Sequence, residues 1–277
     1  MDQAIQSLYG VQFGSSEKAN TTGEVSFQGE TLVSLTRPTI DVLEKKQLGY
    51  LRAAADLRYD RLSEIRVETS NIQSFFASVS YMSSAATKWQ LALTQAVFRL
   101  CTHIEMPVKL GFDVPRPITL AYQVQPIIQT PGHGAWPSGH ATESFAAATL
   151  LSRLCYNESE PLVPRDLIAK QTPFYRQAER IAINRTVAGV HYPTDSMAGA
   201  VLGVSMAEAL VNLLDGREET TARSFDGSAY AGDFNLAVMS EEIGKDSGVI
   251  RETTIKIDPS VVPDWLRKMW QKALIGG

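Results

Sequence analysis

The sequence predicts an all-α protein with irregular segments at both ends. Three observations lead to this fold class. Apolar residues recur at helical spacing over most of the stretch 39–216, few segments alternate as strands do, and prolines and glycines cluster between the periodic stretches. Hydrophobic residues make up 44% of the 277-residue chain and charged residues 20%, so the chain can bury a core.

The first part of the chain predicts an irregular arm followed by three helices. Residues 1–38 are rich in Gly, Ser, Thr and Asn and lack a strong period, which predicts a loosely structured N-terminal arm. Apolar residues at helical spacing predict helices over residues 39–62, 72–81 and 85–105. Pro107 should end or kink the third of these helices, which places Lys109 at a helix end.

The second part predicts a long loop and then further helices. Five prolines exclude a regular helix from residues 110–137, and a long loop inside a domain is usually functional. Helices are predicted at 138–156, 173–190 and 193–215, with a short strand near 255–257 and a short helix at 264–274. The predicted division is an N-terminal arm (1–38), a central helical domain (39–216) and a C-terminal extension (217–277) that packs on the same domain.

Composition limits the possible partners and locations. The net charge of −4 and the lack of Lys/Arg-rich blocks argue against nucleic acid. Cys101 and Cys155 lie in apolar helical patterns and predict buried free thiols. The N-terminus lacks the pattern of a signal peptide, and no stretch reaches the uninterrupted apolar length of a membrane span. We therefore expect a soluble protein without a membrane span, cytoplasmic, or periplasmic or secreted if a leader was removed.

Three short motifs contain the candidate catalytic and anion-binding residues. They are K-x6-R-P with Lys109 and Arg116, P-S-G-H with Ser138, Gly139 and His140, and R-x5-H-x3-D with Arg185, His191 and Asp195. If they meet in space, their cations, hydroxyl, imidazoles and carboxylate predict a pocket for a tetrahedral or trigonal-bipyramidal oxyanion with a histidine on either side.

Each motif alone also fits a structural interpretation. Ser138 can cap a helix whose first N–H groups bind an anion, but a capped helix with an exposed His140 fits equally. Asp195 follows His191 by four residues and can fix its tautomer, but such a pair can also merely join two helices. Single cations such as Lys109 are usually surface charges. The ordered occurrence of all three motifs makes coincidence a poor explanation.

The three motifs resemble the tripartite signature of the type 2 phosphatidic acid phosphatase superfamily, which also contains bacterial class A acid phosphatases and vanadium-dependent haloperoxidases. Asn184 is a departure, because the family usually has Ser before the Arg. The resemblance implies an all-α helical bundle of the acid phosphatase/vanadium haloperoxidase type, with the anion pocket at one end of a four-helix bundle.

The resemblance implies two alternative chemistries for the pocket. In a haloperoxidase, His191 would ligate the vanadium of a vanadate cofactor, and peroxide and halide would be the substrates. In a phosphatase without a cofactor, His191 would attack the phosphorus of a phosphate ester, Asp195 would orient it and His140 would protonate the leaving alcohol. In both, the oxyanion would be bound by Lys109, Arg116, Ser138, Gly139 and Arg185.

His133 favours the haloperoxidase branch, because similarity to bromoperoxidases implies a His at this position on the halide side of the pocket. Trp136 would either wall the pocket or pack in the core. The sequence therefore predicts a vanadium-dependent haloperoxidase of the bromide or iodide type, with a soluble acid phosphatase as the alternative. A non-catalytic helical module that binds phosphate is a third hypothesis. By analogy with the haloperoxidases, the resemblance also implies a homo-oligomer.

Overall fold

The computed structural model describes residues 1–14, 20–156, 161–246 and 248–275. The helices are α1 (Asp2–Gln6), α2 (Ile40–Val42), α3 (Leu48–Ala54), α4 (Arg58–Glu68), α5 (Gln73–Ala77), α6 (Lys88–Phe112), α7 (Pro117–Leu120), α8 (Gly139–Tyr156), α9 (Pro164–Ala169), α10 (Pro173–Val187), α11 (Pro193–Leu214), α12 (Leu236–Gly244) and α13 (Asp264–Ile275). A π-helical turn, Leu43–Gln47, joins α2 to α3, and 3-10 turns lie at Ala55–Leu57, Tyr122–Val124 and Pro259–Val261.

The core of the molecule is a bundle in which α8 packs against α6, α10 and α11. Glycines bring α11 and α8 into backbone contact: a Cβ atom on Gly199 would lie 2.4 Å from the carbonyl oxygen of Ser138, and one on Gly203 would lie 2.2 Å from that of Thr142. Small residues therefore give tight helix packing here, because a larger side chain would force the two backbones apart.

Helix α11 corrects the expectation that the chain has no candidate membrane span. It is long enough, and at a mean hydropathy of 1.7 apolar enough, to cross a membrane. Ser205, Glu208 and Asn212 interrupt its apolar run without lowering the average below that of a span. Every residue of α11 is buried inside the molecule.

A five-stranded mixed sheet shows that the all-α prediction was wrong. The strands are β1 (Tyr9–Phe13), β2 (Thr22–Phe27), β3 (Glu30–Thr36), β4 (Glu219–Asp226) and β5 (Ile250–Lys256). They pair in the order β1-β2-β3-β4-β5, and only the β3–β4 pair is parallel. Strands from the two ends of the chain thus form one continuous sheet.

The predicted N-terminal arm contains most of this sheet. Val25 and Phe27 in β2 alternate with polar residues and point into the core. Gln28 and Gly29 connect β2 to β3 with φ angles of 52° and 89°, the left-handed geometry of a tight hairpin. The expectation of a loosely structured arm was therefore wrong for these residues, while residues 15–19 lie outside the described part.

The sheet covers one side of α11. The Tyr9 hydroxyl on β1 donates a hydrogen bond to the carbonyl oxygen of Met206 at 2.7 Å. Arg223 on β4 pairs with Glu208 on α11 at 2.6 Å, and both side chains are buried. These polar groups of α11 therefore have partners within the protein rather than in solvent.

Pro107 lies inside α6, so of the two predicted alternatives an end of the helix at this residue was wrong, and a kink stays a prediction. The proline lacks the N–H that would bond to the carbonyl group of His103, and both residues lie on the solvent side of the helix, where water can satisfy that group. Lys109 consequently lies in the last turn of α6. The division of the chain at residues 38 and 216 stays a prediction.

Candidate functional site

The three motifs meet around one cavity of about 520 Å³ at the end of the bundle where α8 begins. Most of the predicted site residues line this cavity: Lys109, Arg116, His133, Gly139, His140, Arg185 and His191. They come from the end of α6, the loop before α8, the first turn of α8, the end of α10 and the turn before α11. The helix ends supply them because each motif lies where a helix begins or stops.

Two of the cations are held by backbone carbonyl groups. Lys109 Nζ donates hydrogen bonds to the oxygens of Pro137 at 2.5 Å and Ala135 at 3.5 Å. Arg116 donates from Nη1 to the oxygen of Val190 at 2.9 Å. Burial lowers the pKa of Lys109 to about 8, and Glu105 opposes this shift. The two positive charges are therefore fixed in place before any ligand binds.

Arg185 keeps donors available for a ligand. Its Nη2 forms an ion pair with Glu68, and both side chains are almost fully buried. Its Nε and Nη1 atoms are buried without a hydrogen-bond partner among the described residues. A buried guanidinium with unused N–H groups on a cavity wall is suited to bind an oxyanion.

His191 is held between an acceptor and a donor. Its Nδ1 lies 2.9 Å from Asp195 Oδ2, and its Nε2 lies 3.0 Å from Arg116 Nη1. Asp195 Oδ2 also accepts the N–H of Tyr192 at 3.0 Å, so the carboxylate is itself held in place. Burial, followed by the positive charges of Arg116 and Lys109, holds the pKa of His191 well below its usual range. The ring is therefore neutral.

His140 also lines the cavity. Its Nε2 lies 3.1 Å from the carbonyl oxygen of Glu68 and donates to it, which leaves Nδ1 free to exchange a proton with a ligand. Burial, followed by the charge of Arg185, lowers the pKa of His140 to about 3. Two neutral imidazoles thus face one cavity that also contains three cations.

Ser138 and Trp136 serve the structure around the cavity. The Ser138 hydroxyl accepts the N–H of Ala141 at 3.4 Å and so caps α8, as predicted, and Ser138 is not among the residues that line the cavity. Trp136 is fully buried and packs edge-on against Phe112 and stacked on Phe225. Of the two alternatives for Trp136, packing in the core is the one observed.

His133 lies on the cavity wall and contacts Arg116. Its Nδ1 is 3.3 Å from Arg116 Nη2, and its carbonyl oxygen accepts Arg116 Nε at 3.2 Å. Burial lowers the pKa of His133. The residue therefore helps to position the guanidinium of Arg116, and its halide role stays a prediction.

Sequence reasoning missed three carboxylates that line the same cavity. Glu68 ends α4, Glu105 lies one turn before Lys109 on α6, and Glu143 lies one turn after Gly139 on α8. Burial raises the pKa of Glu68 to about 7 in spite of Arg185. The i,i+4 spacing of Glu105 and Lys109 was visible in the sequence, but Glu68 lies outside every motif and had no such signal.

Asn184, the residue that departs from the family pattern, forms a hydrogen bond with Glu68. Its amide nitrogen donates to Glu68 Oε1 at 2.7 Å and also to Glu64. Its oxygen accepts Arg61 Nη1 at 3.1 Å. The side chain thus joins α10 to α4 and helps to hold the carboxylate that binds Arg185.

Polar and apolar residues outside the three motifs also line the cavity. They include residues 69–73, Ile128, Gln129 and Pro131, and the aromatic ring of Phe98. Among the described residues, no group of three or more His, Cys, Asp or Glu side chains could hold a metal ion.

Comparisons with known proteins agree with the motifs. Residues 87–219 match the family model of the PAP2 superfamily. Over 96 residues the chain is 31% identical to decaprenylphosphoryl-5-phosphoribose phosphatase from two strains of Mycobacterium tuberculosis, CDC 1551/Oshkosh and H37Rv. The match covers 35% of this chain and 46% of each relative, so the chain spans about half the length of the curated relatives it matches.

Among solved structures, the chain is similar to the first transmembrane PAP2 type phosphatidylglycerolphosphate phosphatase from Bacillus subtilis. The TM-score is 0.43 at 20% sequence identity, over 64% of this chain and 87% of that chain. Helix α11, which is long and apolar enough to cross a membrane, contradicts the expectation of a soluble protein without a membrane span, in the cytoplasm, periplasm or medium.

The matched segment runs from the start of α6 to the residues just after α11, and it includes every motif residue from Lys109 to Asp195. Residues 87–219, just under half of the chain, are thus similar to the PAP2 superfamily.

Proposed function

We propose that this protein is a phosphatase that hydrolyses phosphate monoesters through a phosphohistidine formed on His191. The curated relatives carry phosphatase names, which favours the acid phosphatase alternative over the haloperoxidase hypothesis. The cavity supports the proposal with three cations for the phosphoryl oxygens and a neutral imidazole on either side.

The observation that carries the proposal is the hydrogen bonding of His191. An arginine side chain has only donors, so the contact of Arg116 with His191 Nε2 requires a lone pair on that nitrogen. The proton must then lie on Nδ1, where it is donated to Asp195. This tautomer leaves Nε2 as a nucleophile on the cavity wall, and phosphoryl oxygens can replace it as the acceptor of Arg116.

The reaction then has two balanced steps. His191 Nε2 forms a bond to phosphorus as the ester P–O bond breaks, and the leaving oxygen takes a proton from His140. Water next attacks phosphorus, the P–N bond breaks, and His140 takes a proton from the water. Lys109, Arg116 and Arg185 offset the charge of the phosphoryl group in both steps.

Vanadate also fits this donor set, since His191 Nε2 offers a lone pair and the cations face the same space. When bound, it would supply the peroxide activation of a haloperoxidase. The two functions are separated by assaying one preparation of the full chain for two reactions. We expect hydrolysis of a chromogenic phosphate monoester that orthovanadate inhibits, and no bromination with peroxide, bromide and vanadate. Vanadate-dependent bromination without hydrolysis would restore the haloperoxidase hypothesis, and phosphate binding without either reaction would indicate a binding module.

His140→Ala is expected to discriminate between leaving groups. Burial and then the nearby cations lower the pKa of His140, and a phosphate dianion would offset the cations, so substrate binding shifts this pKa upward and favours the protonated ring. Without this acid, kcat should fall about 10²- to 10⁴-fold for an alkyl phosphate, whose alkoxide needs a proton. The loss should be much smaller for a nitrophenyl phosphate, whose phenolate leaves unprotonated. Steady-state kinetics on both substrates test this, and equal losses would exclude His140 as the proton donor.

A further inference from the structure

The oxyanion cavity contains as many carboxylates as cations. Glu68, Glu105 and Glu143 line it together with Lys109, Arg116 and Arg185. Glu68 is engaged by Arg185 and by Asn184, and Glu143 accepts the hydroxyl of Thr102 at 3.4 Å. Glu105 differs from both, because its Oε2 atom is buried without a hydrogen-bond partner among the described residues and its side chain is only 7% exposed.

Glu105 lies where a bound oxyanion is expected. A Cβ atom on Gly139 would be 2.6 Å from Glu105 Oε1 and 2.8 Å from Oε2, so the carboxyl group rests against the first turn of α8. The free N–H groups and the dipole at this end of α8 favour a negative charge in the same place. An ionised Glu105 and a dianionic ligand would therefore repel each other across a short distance in a buried site.

We propose that Glu105 is an oxyanion-binding residue that takes up a proton when the oxyanion binds and donates its O–H to an oxygen of the ligand. This deepens the proposed function and rests on it for the kind of ligand. The proton comes from solvent and adds to the carboxylate, so repulsion is replaced by a hydrogen bond. The site would then bind the anion and one proton together.

The charges around Glu105 agree with this behaviour. Burial raises the pKa of its carboxyl group, while Lys109 and Arg116 oppose the shift. Glu143 and the Cys101 thiol are the other titratable groups that face it. An oxyanion would offset the two cations and so raise the pKa of Glu105 further, which is the condition for proton uptake.

The expected consequence is an affinity for oxyanions that falls as pH rises. When one proton accompanies each anion, the dissociation constant rises about tenfold per pH unit above the pKa of Glu105 in the free protein, and it becomes constant below that pKa. Glu105→Gln cannot ionise and keeps a hydrogen-bond donor, so this variant should lose that slope and bind the anion more tightly at neutral pH.

The test measures proton uptake on binding of sulfate, which stays a dianion across the neutral range. Calorimetric titrations of the full chain at several values from about pH 5 to pH 7, all below the pKa of Lys109, in two buffers of different ionisation enthalpy give the number of protons taken up at each pH. Toward pH 7, where more of the free protein has Glu105 ionised, wild type should take up more protons than Glu105→Gln. Glu143→Gln, which changes a carboxylate of the same cavity, should behave as wild type.

Equal uptake in wild type and Glu105→Gln, or loss of uptake in Glu143→Gln instead, would overturn the proposal. Arg116→Ala tests whether the sulfate binds in the cavity. It should abolish sulfate binding if the sulfate lies there, and unchanged binding would overturn the assignment of the site. Sulfate binding needs no turnover. A protein that fails the hydrolysis assay but shows the Glu105 effect would refute the phosphatase proposal and leave this inference intact.

Discussion

His191→Ala is expected to lower kcat for phosphate monoester hydrolysis by about 10⁴- to 10⁶-fold, the loss that follows removal of a catalytic nucleophile. The imidazole is the only group in the cavity, among the described residues, whose lone pair is fixed by a carboxylate behind it and a guanidinium beside it. Sulfate affinity should change little, because the three cations stay in place. Steady-state kinetics and calorimetry measure the two quantities.

His103→Ala is the matched control, since His103 lies on the exposed side of α6 away from the cavity. It should retain wild-type kcat. Trapping of a labelled phosphoryl group on wild type but not on His191→Ala would identify the intermediate. Substantial turnover by His191→Ala would contradict the proposed nucleophile, and loss of sulfate binding together with kcat would indicate that the variant had damaged the cavity itself.

Glu68→Ala is expected to destabilise the protein by about 3 to 5 kcal/mol, because it leaves the Arg185 guanidinium buried without its counter-charge. The substitution also removes the acceptor of Asn184 and leaves a space between α4 and α10. Activity should fall as well, since we propose that Arg185 binds the oxyanion and the backbone carbonyl of residue 68 accepts a hydrogen bond from His140. Urea unfolding measures the first effect and kcat/KM the second.

Glu64→Ala provides a matched control one turn earlier on the same helix. Glu64 pairs with Arg180, whose side chain is 46% exposed, so its ion pair should contribute about 1 kcal/mol or less. Glu64 also accepts a hydrogen bond from Asn184, so this control removes one contact of the same hydrogen-bond network and leaves the Glu68–Arg185 pair intact. Similar costs for the two variants would show that Glu68 and Arg185 are not a tightly coupled buried pair.

The sequence predicted the parts of the site that depend on local spacing. Ser138 before an apolar stripe predicted the start of α8, and the four-residue spacing of His191 and Asp195 predicted their contact. The convergence of distant motifs followed from the family resemblance rather than from periodicity. The possible homo-oligomer and the chemical roles of the residues stay predictions.

The rest depended on contacts between distant parts of the chain. Glu68 belongs to the site because it forms an ion pair with Arg185, more than a hundred residues later in the chain. No local pattern distinguishes it from a surface glutamate. Strand β2 did alternate, but its polar composition concealed the pattern, and β3 does not alternate strictly because Leu32 and Val33 are both buried. β3 packs on α11 and β2 packs on α6, and such contacts between distant segments could not be inferred from a single segment.

The parallel pairing of β3 with β4 has a consequence for how the chain folds and how it can be shortened. β3 is synthesised before β4, and most of the helices lie between them in the chain, so the ladder closes only after those helices have been produced. Until then, the β2–β3 hairpin has an unpaired edge at β3. Trimming either terminal segment would uncover the apolar flank of the central helix, and the resulting fragment would tend to aggregate rather than report on the isolated bundle.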